Sequence, residues 1–344
     1  MRERPYHASV TRISDLRDRP YDVTPFPREE WGTGDYVVAE VTPPLGRFTK
    51  LELPSGRMID LVDGDYVIGA LGQRAATLEA VGDWRFIGSD GMMNALTSAG
   101  LFGLATHVSY VLGNLTKLAY RGHVVRDGQP VKMAHFVPVF EPRPFRTPVI
   151  LVIGTSMSAG KTTAARVVVR QLKKLGRRVV GAKITGAARY RDILSMHDSG
   201  ADRIVDFVDA GLPSSITDED TYRAASRVML GMIDDAEADI AVVEAGASPL
   251  EPYNGQVALE ELGDAVQFTI LCASDPYAVA GVMQGFGFRP DLVAGLATAT
   301  PAGTALVGRL ADVPALDLLD PASVPELVGM LRQLPRKVDE HLAG

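Results

Sequence analysis

One stretch constrains this chain more than any other. Val149-Ile150-Leu151-Val152-Ile153 runs without a polar residue into Gly154-Thr155-Ser156-Met157-Ser158-Ala159-Gly160-Lys161-Thr162-Thr163. Five β-branched or Leu residues in a row read as a strand buried on both faces. The small residues that follow let successive backbone N–H groups turn inward around phosphate oxygens, which a bulky run would block. A helix starting at Gly160 adds the positive end of its dipole to those donors. The stretch is therefore expected to be a strand, a phosphate-cradling loop spanning Gly154 to Thr163, and a first helical turn. Lys161 is placed to reach the outer phosphates and the Thr162 hydroxyl to ligate Mg²⁺. The spacing departs from the usual pattern, because five residues, not four, separate Gly154 from Gly160, and Thr155 takes the place of the pattern's first glycine.

Composition sets outer bounds. A length of 344 residues fits two domains with ample core. The formal charge of −7 argues against a general nucleic-acid surface, which needs clustered Lys and Arg. The single cysteine, Cys272, excludes an intrachain disulfide and a thiolate cluster, and lies in an apolar run where a buried small hydrophobe is expected. No long apolar segment or signal core is visible, so no membrane association and a cytoplasmic location are expected.

The chain divides by pattern. Residues 1–140 are expected to form a smaller β-rich domain, a twisted sheet or barrel built from short runs such as Tyr36–Thr42, Phe48–Leu53, Met58–Val62 and Tyr66–Leu71. Helical stretches are expected there around Ala75–Val81 and Met92–Ala99. Strands are expected at Val108–Leu112, Gly122–Val125 and Val131–Phe136, the last two joined by the hairpin signal Arg126-Asp-Gly-Gln. A proline-rich linker follows at 141–148. From 149 to 344 strand and helix patterns alternate, which implies a P-loop NTPase-type α/β domain: a parallel sheet with helices on both faces. Its strands are expected at Val149–Ile153, Arg178–Ile184, Ile240–Glu244, Phe268–Ala273, Leu292–Ala297 and Ala315–Leu319, with one helix expected around Asp202–Ala210.

Three constellations accompany the loop. Strand carboxyl ends face the ligand crevice in such sheets, so Lys183, Thr185, Arg189 and Arg191 are expected near phosphates or an anionic substrate. Asp198, Asp202 and Asp206 fall at i, i+4 and i+8 and would share a helix face, Asp198 being the preferred second Mg²⁺ contact; a plain solvated face is the alternative. Glu244 ends an apolar strand and is followed by small residues up to Ser248, the way an acid is presented to a metal across the sheet. No guanine-reading Asn-Lys-x-Asp occurs, which leans the nucleotide toward ATP.

These residues resemble the dethiobiotin synthetase group of P-loop enzymes, which includes the cobyrinic acid a,c-diamide synthases. The loop Gly154-Thr155-Ser156-Met157-Ser158-Ala159-Gly160-Lys161-Thr162 has that group's length and opening Gly-Thr. Lys183 with Gly186 matches its second strand, and Glu244-Ala-Gly-Ala-Ser248 matches its third, with Ala245 and Ser248 replacing family glycines. The resemblance covers roughly residues 149–320. It implies ATP and Mg²⁺ held through Lys161, Thr162 and Glu244, with Lys183 toward substrate or the transferred phosphate. A looser likeness is to two-domain P-loop proteins associated with N-acylation of D-glutamate. The expected function is an ATP- and Mg²⁺-dependent enzyme, a kinase or ligase, that activates a small anionic carboxylate substrate. In it Lys161, Lys183 and Glu244 are catalytic, and Lys183, Thr185, Arg189, Arg191 and Ser248 bind substrate. A nucleotide switch and an acyl-CoA-dependent N-acyltransferase stay open, as does a homo-oligomer.

Overall fold

The computed structural model describes residues 4–44, 49–110, 112–141 and 143–335. Phe48, Val111, Pro142 and residues 336–344, which fall in stretches assigned from the sequence, lie outside the described residues. The chain forms two compact units. The first comprises Met1–Val139, Gly186–Arg191 and Phe207–Asp218; the second comprises Phe140–Thr185, Asp192–Asp206 and Glu219–Gly344. A division at 140 thus leaves out two later segments that pack with the first unit.

The first unit is β-rich. Strands Tyr66–Leu71, Tyr36–Thr42, Lys117–Arg126, Met92–Ala95 and Leu101–Val108 pair in that order, and Leu101–Val108 returns to Tyr66–Leu71, closing a ring of five. Closure removes the exposed strand edge that an open sheet would present. The Arg126 hairpin forms as read, with Val125 opposite Pro130 and Arg126 opposite Gln129. The expected helices do not form: Gln73–Ala75, Ala80–Asp83 and Met92–Ala95 are strands, because cross-strand pairing wins over local Ala and Met propensity. The strand expected at Val108–Leu112 instead ends at Val108, and Val131–Phe136 is mostly a 3-10 turn at Met133–Phe136. Buried polar groups meet one another in this unit. Asp35 and His123 are fully buried, with His123 Nε2 3.3 Å from Asp35 Oδ2, Lys132 Nζ 3.1 Å from Asp35 Oδ1, and the Tyr120 hydroxyl 2.6 Å from His123 Nδ1.

The second unit is a six-stranded parallel sheet covered by helices. Its strands are β1 (Val149–Gly154), β2 (Val179–Thr185), β3 (Arg203–Asp206), β4 (Ile240–Ala245), β5 (Val266–Cys272) and β6 (Leu292–Ala294). They lie in the order β3-β2-β4-β1-β5-β6. The helices are α1 (Lys161–Lys174), α2 (Tyr190–Asp198), α3 (Glu219–Asp234), α4 (Gly255–Leu262), α5 (Pro276–Phe286), α6 (Pro301–Ala311) and α7 (Val324–Arg332). The helix α1 turns Ala164, Ala165, Val168, Val169 and Leu172 onto Ile150, Val152 and Val242 of the sheet, while Arg166 and Arg170 face solvent. This is the expected P-loop NTPase-type architecture, with one exchange of strands. Arg203–Asp206, read as helix, is the edge strand, and Ala315–Leu319, read as strand, makes a single bridge from Ala315 to Val293. Gly200, with φ of +106°, ends the preceding turn, and the run Ile204-Val205 then pairs beside β2.

The proline-rich stretch before β1 packs along α3. Arg143 donates to the Gly231 carbonyl at 3.1 Å, and the buried carboxylate of Asp234 accepts from the Thr147 amide at 3.0 Å, the Thr147 hydroxyl at 2.5 Å and the Arg146 amide at 3.2 Å. Hydrogen bonds to a buried charge are worth roughly 1.5–3 kcal/mol, and removing the acceptor strands its donors. Asp234→Ala is expected to cost about 2–3 kcal/mol of stability, read from the urea midpoint at constant m-value.

Candidate functional site

The sheet register assembles the site. In neighbouring parallel strands, Asp206 on β3 is the partner of Lys183 on β2, Lys183 is the partner of Glu244 on β4, and Glu244 is the partner of Val152 on β1. Register partners project to the same side of a sheet, so a row of alternating charge, Asp206, Lys183 and Glu244, runs toward the phosphate loop. All three are nearly inaccessible. Lys183 Nζ also reaches Asp192 Oδ2, in the first turns of α2, at 2.6 Å. Burial by itself would lower the Lys183 pKa, but Asp192, Glu244 and Asp206 outweigh it and the ammonium is held above its ordinary range. Glu244 behaves in the opposite sense: burial raises its pKa, although Lys183 and Lys161 pull it down.

The loop has the expected form. Gly160, with φ of +100°, is the left-handed N-cap of α1, a conformation that glycine adopts without steric cost. The first intrahelical bond runs from the Ala164 amide to the Gly160 carbonyl, so the amides of Lys161, Thr162 and Thr163 have no carbonyl one turn earlier. Thr155 is tied to the end of β5 by its amide, which donates to the Cys272 carbonyl at 3.0 Å, and by its hydroxyl, which accepts from the Ser274 amide at 3.1 Å. Ser156 and Ala159 are buried; Met157 is half-buried and Ser158 exposed. Lys161 is 2% exposed and folds back to donate to the Ser156 carbonyl at 2.6 Å, and burial lowers its pKa. The Thr162 hydroxyl donates to Glu244 Oε1 at 3.3 Å, and Glu244 Oε2 is buried with no hydrogen-bond partner among the described residues. A hard cation with oxygen ligands fits this pair, since it would satisfy that orphaned oxygen and lower the raised carboxyl pKa. Cys272 is buried at the end of β5 with its thiol pushed up to about 12, which removes it as a nucleophile.

The remaining expected residues separate. Thr185 is buried at the end of β2, and its hydroxyl has no partner among the described residues. Ser248 is buried and its amide donates to the Glu251 carboxylate at 2.7 Å. Arg189 and Arg191 are exposed and pack with the first unit, where the Arg191 amide donates to Glu52 Oε1 at 2.8 Å. Asp198 is not a metal contact beside Thr162 and Glu244. It is the exposed last residue of α2, about 9 Å along the helix beyond Asp192. Nor do the three aspartates share a helix face: α2 stops at Asp198, Asp202 pairs with Lys173 at 2.7 Å, and Asp206 is on a strand. Among the described residues no group of three or more His, Cys, Asp or Glu could hold a metal ion.

Two partners of the row were missed from the sequence. Asp192 falls nine residues after Lys183, and the helix that brings it back was not drawn; Asp206 was placed on a helix. Gly246 was seen only as a small residue. A Cβ there would lie 2.3 Å from the Thr185 carbonyl oxygen and 2.5 Å from Lys183 Cε, so only glycine leaves the lysine its path.

Strand order, loop and helix define an α/β unit of the P-loop NTPase type. No protein-family model matches the chain, and no curated protein matches it in sequence. Similar solved structures include the signal recognition particle receptor FtsY from Elizabethkingia anophelis in complex with GDP, 17% identical over 51% of this chain, with a TM-score of 0.34. This chain spans 58% of that one's length. Hydrogenase maturation factor HypB from Archaeoglobus fulgidus is 13% identical over 54% of this chain and 89% of its own, with a TM-score of 0.36. A ParA family ATPase from Chlorobium tepidum is 13% identical over 54% and 90%, with a TM-score of 0.31. None of the three is a dethiobiotin synthetase. No helix among the described residues is long and apolar enough to cross a membrane.

Two outcomes follow from the row. Gly246→Ala is expected to displace Lys183 and lower stability by about 1–3 kcal/mol, the usual cost of overpacking, in a denaturant titration. Glu244→Gln is expected to be more stable than the parent at neutral pH. The carboxyl pKa is raised in the folded state, so the parent's stability is full below the unfolded value and is lost as pH rises through the folded one. The advantage of glutamine should therefore shrink as pH falls toward 4, measured by thermal unfolding across pH.

Proposed function

We propose that the second unit binds a nucleoside triphosphate with Mg²⁺ and uses it to phosphorylate or otherwise activate a small anionic substrate, a carboxylate. The reading keeps the dethiobiotin synthetase-like resemblance as its guide. The observation that carries it is the second lysine. Lys161 belongs to the phosphate loop, whereas Lys183 is a separate buried cation at a strand carboxyl end, with Asp192 accepting from its ammonium. An ammonium has three donors, so Lys183 can hold a second anion while keeping that contact.

In this reading Lys161 leaves the Ser156 carbonyl for the outer phosphates, and the open amides at the start of α1 hold the phosphate oxygens. Thr162 and Glu244 would hold Mg²⁺, which supplies charge neutralisation between the outer phosphates. Lys183 orients the substrate carboxylate toward the nucleotide, and Thr185 offers its hydroxyl beside it. Phosphoryl transfer is mainly positioning and charge neutralisation, so this set suffices without a protein nucleophile. ATP is the nucleotide we favour, because the guanine-reading motif is absent from the sequence.

Nucleotide turnover with Mg²⁺, followed for ATP and GTP against a panel of amino and dicarboxylic acids, tests the reading. One acid should stimulate turnover saturably. Lys161→Ala should lower the rate roughly 10²–10³-fold, as loss of a preorganised donor does elsewhere. Lys183→Ala should abolish the acid's effect while nucleotide binding persists. Turnover equal with and without every acid would assign a nucleotide switch instead, and competition between acetyl-CoA and nucleotide would assign acyl transfer.

A further inference from the structure

Glu52 is a carboxylate with no accessible surface, and its partners among the described residues are neutral. The Ser9 hydroxyl donates to Oε2 at 2.6 Å, the Tyr190 amide to Oε2 at 2.8 Å and the Arg191 amide to Oε1 at 2.8 Å. Its own place is fixed by the strand Lys50–Glu52, paired with Met58–Asp60, and by its amide, which donates to the Ser98 carbonyl at 2.8 Å. A buried charge is costly unless it is hydrogen-bonded and compensated. Here the compensation is the positive end of α2, whose first two residues are Tyr190 and Arg191.

The helix has no start of its own making. Gly186-Ala187-Ala188-Arg189, the residues ahead of it, include no Ser, Thr, Asp or Asn to cap it from within. A residue 138 positions earlier than Tyr190 does so instead. Arg12 adds a second hold on the same residue, its guanidinium lying 4.5 Å from the centre of the Tyr190 ring and donating to Asp209 at 2.9 Å. The next residue of α2 after this anchored pair is Asp192, which accepts from the Lys183 ammonium at 2.6 Å. Neighbouring residues of one helix move together, and a hydrogen bond of that length tolerates a displacement of only a few tenths of an ångström. Toward the sheet α2 has no slack either, because a Cβ on Gly181 would meet Met196 at 2.8 Å.

We propose that Glu52 is a positioning residue for Lys183. By holding the first turn of α2 it sets the Asp192 carboxylate and, through it, the direction in which the ammonium meets the anionic substrate. The proposal rests on the reading of Lys183 as the cation that orients that substrate. The contacts it uses lie within one unit or the other, and the covalent helix carries the effect from Arg191 to Asp192.

The test reads the Lys183 ammonium by NMR in the full chain carrying isotopically labelled lysine, its signal assigned by its loss in Lys183→Arg. Glu52→Gln keeps the size of the side chain and replaces one acceptor oxygen with a donor. It is expected to shift the Lys183 signal in the direction that Asp192→Asn shifts it, and to shift it no further in an Asp192→Asn background, where the link is already cut. Ser9→Ala removes only one donor to the same carboxylate; it should give a smaller shift, and it serves alone if Glu52→Gln does not fold. Asp234→Ala, which weakens the packing of α3, should leave the signal in place and so separates positioning from lost stability. With an acid that stimulates turnover, Glu52→Gln should lower that stimulation by up to about 10²-fold, as misplacement from a distance does, while nucleotide binding persists. A Lys183 signal unmoved by Glu52→Gln and Ser9→Ala, moved equally by Asp234→Ala, or moved further by Glu52→Gln in the Asp192→Asn background would each overturn the proposal. A shifted signal in a protein whose turnover no acid stimulates would overturn the substrate reading and leave the hold of Glu52 on Lys183 standing.

Discussion

The candidate site depends on Lys183 staying charged inside the sheet. A lone ammonium buried at that depth would lose its proton, and the carboxylates around it would gain one. The register keeps the ammonium charged by setting Asp206 and Glu244 on either side of it, with Asp192 accepting from it, while burial still holds the Glu244 carboxyl above its ordinary range. Removing Asp192, which accepts directly from the ammonium, would leave the buried charge without its hydrogen-bonded partner. Glu244 is the member left least satisfied, with one oxygen on Thr162 and the other on nothing described. The unsatisfied atom is thus the second oxygen of a carboxylate whose first oxygen already touches Thr162, where a cation would pair with it.

Both units bury polar groups, and in both some side-chain atoms lack a hydrogen-bond partner among the described residues. The first closes its strands into a ring and pairs Asp35, His123, Lys132 and the Tyr120 hydroxyl among themselves. Within it Asp35 Oδ1 and His123 Nε2 have charged neighbours but no hydrogen-bond partner among the described residues. In the second unit the buried polar groups line up at the strand carboxyl ends and stop short of complete satisfaction, at Glu244 and at the Thr185 hydroxyl. What sets Glu244 and Thr185 apart is their place, at strand carboxyl ends on the side of the phosphate loop.

Much of this was legible in the sequence, for physical reasons. The run from Val149 to Thr163 combines a strand too apolar for any surface with residues too small for any core, and the structure has the strand, loop and helix where that pattern puts them. Lys183 and Glu244 were readable because a charge at the end of an apolar run is costly without a partner. The partners themselves were not readable. Asp206 was assigned to a helix since its spacing from Asp198 and Asp202 matches one, but strand pairing across β2 decided the outcome. Asp192 depends on a helix of nine residues whose first turn returns to the strand it left, a fact of tertiary geometry. The same reasoning failed in the first unit, where strand pairing between distant segments overrode the local preference of Ala75–Val81 and Met92–Ala99.

The membership of the first unit has a consequence for how this chain acquires its structure. Residues 186–191 and 207–218 belong to it, although they are separated from its other part by more than a strand and helix of the second unit. As the chain leaves the ribosome, its first 140 residues emerge well before those two segments do. The ring of strands can close early, but the packing around Glu52, which accepts from the amides of Tyr190 and Arg191, must wait for them. Synthesis order and assembly order therefore diverge, and a unit whose larger part is made before the second unit is completed only after much of that unit has been made.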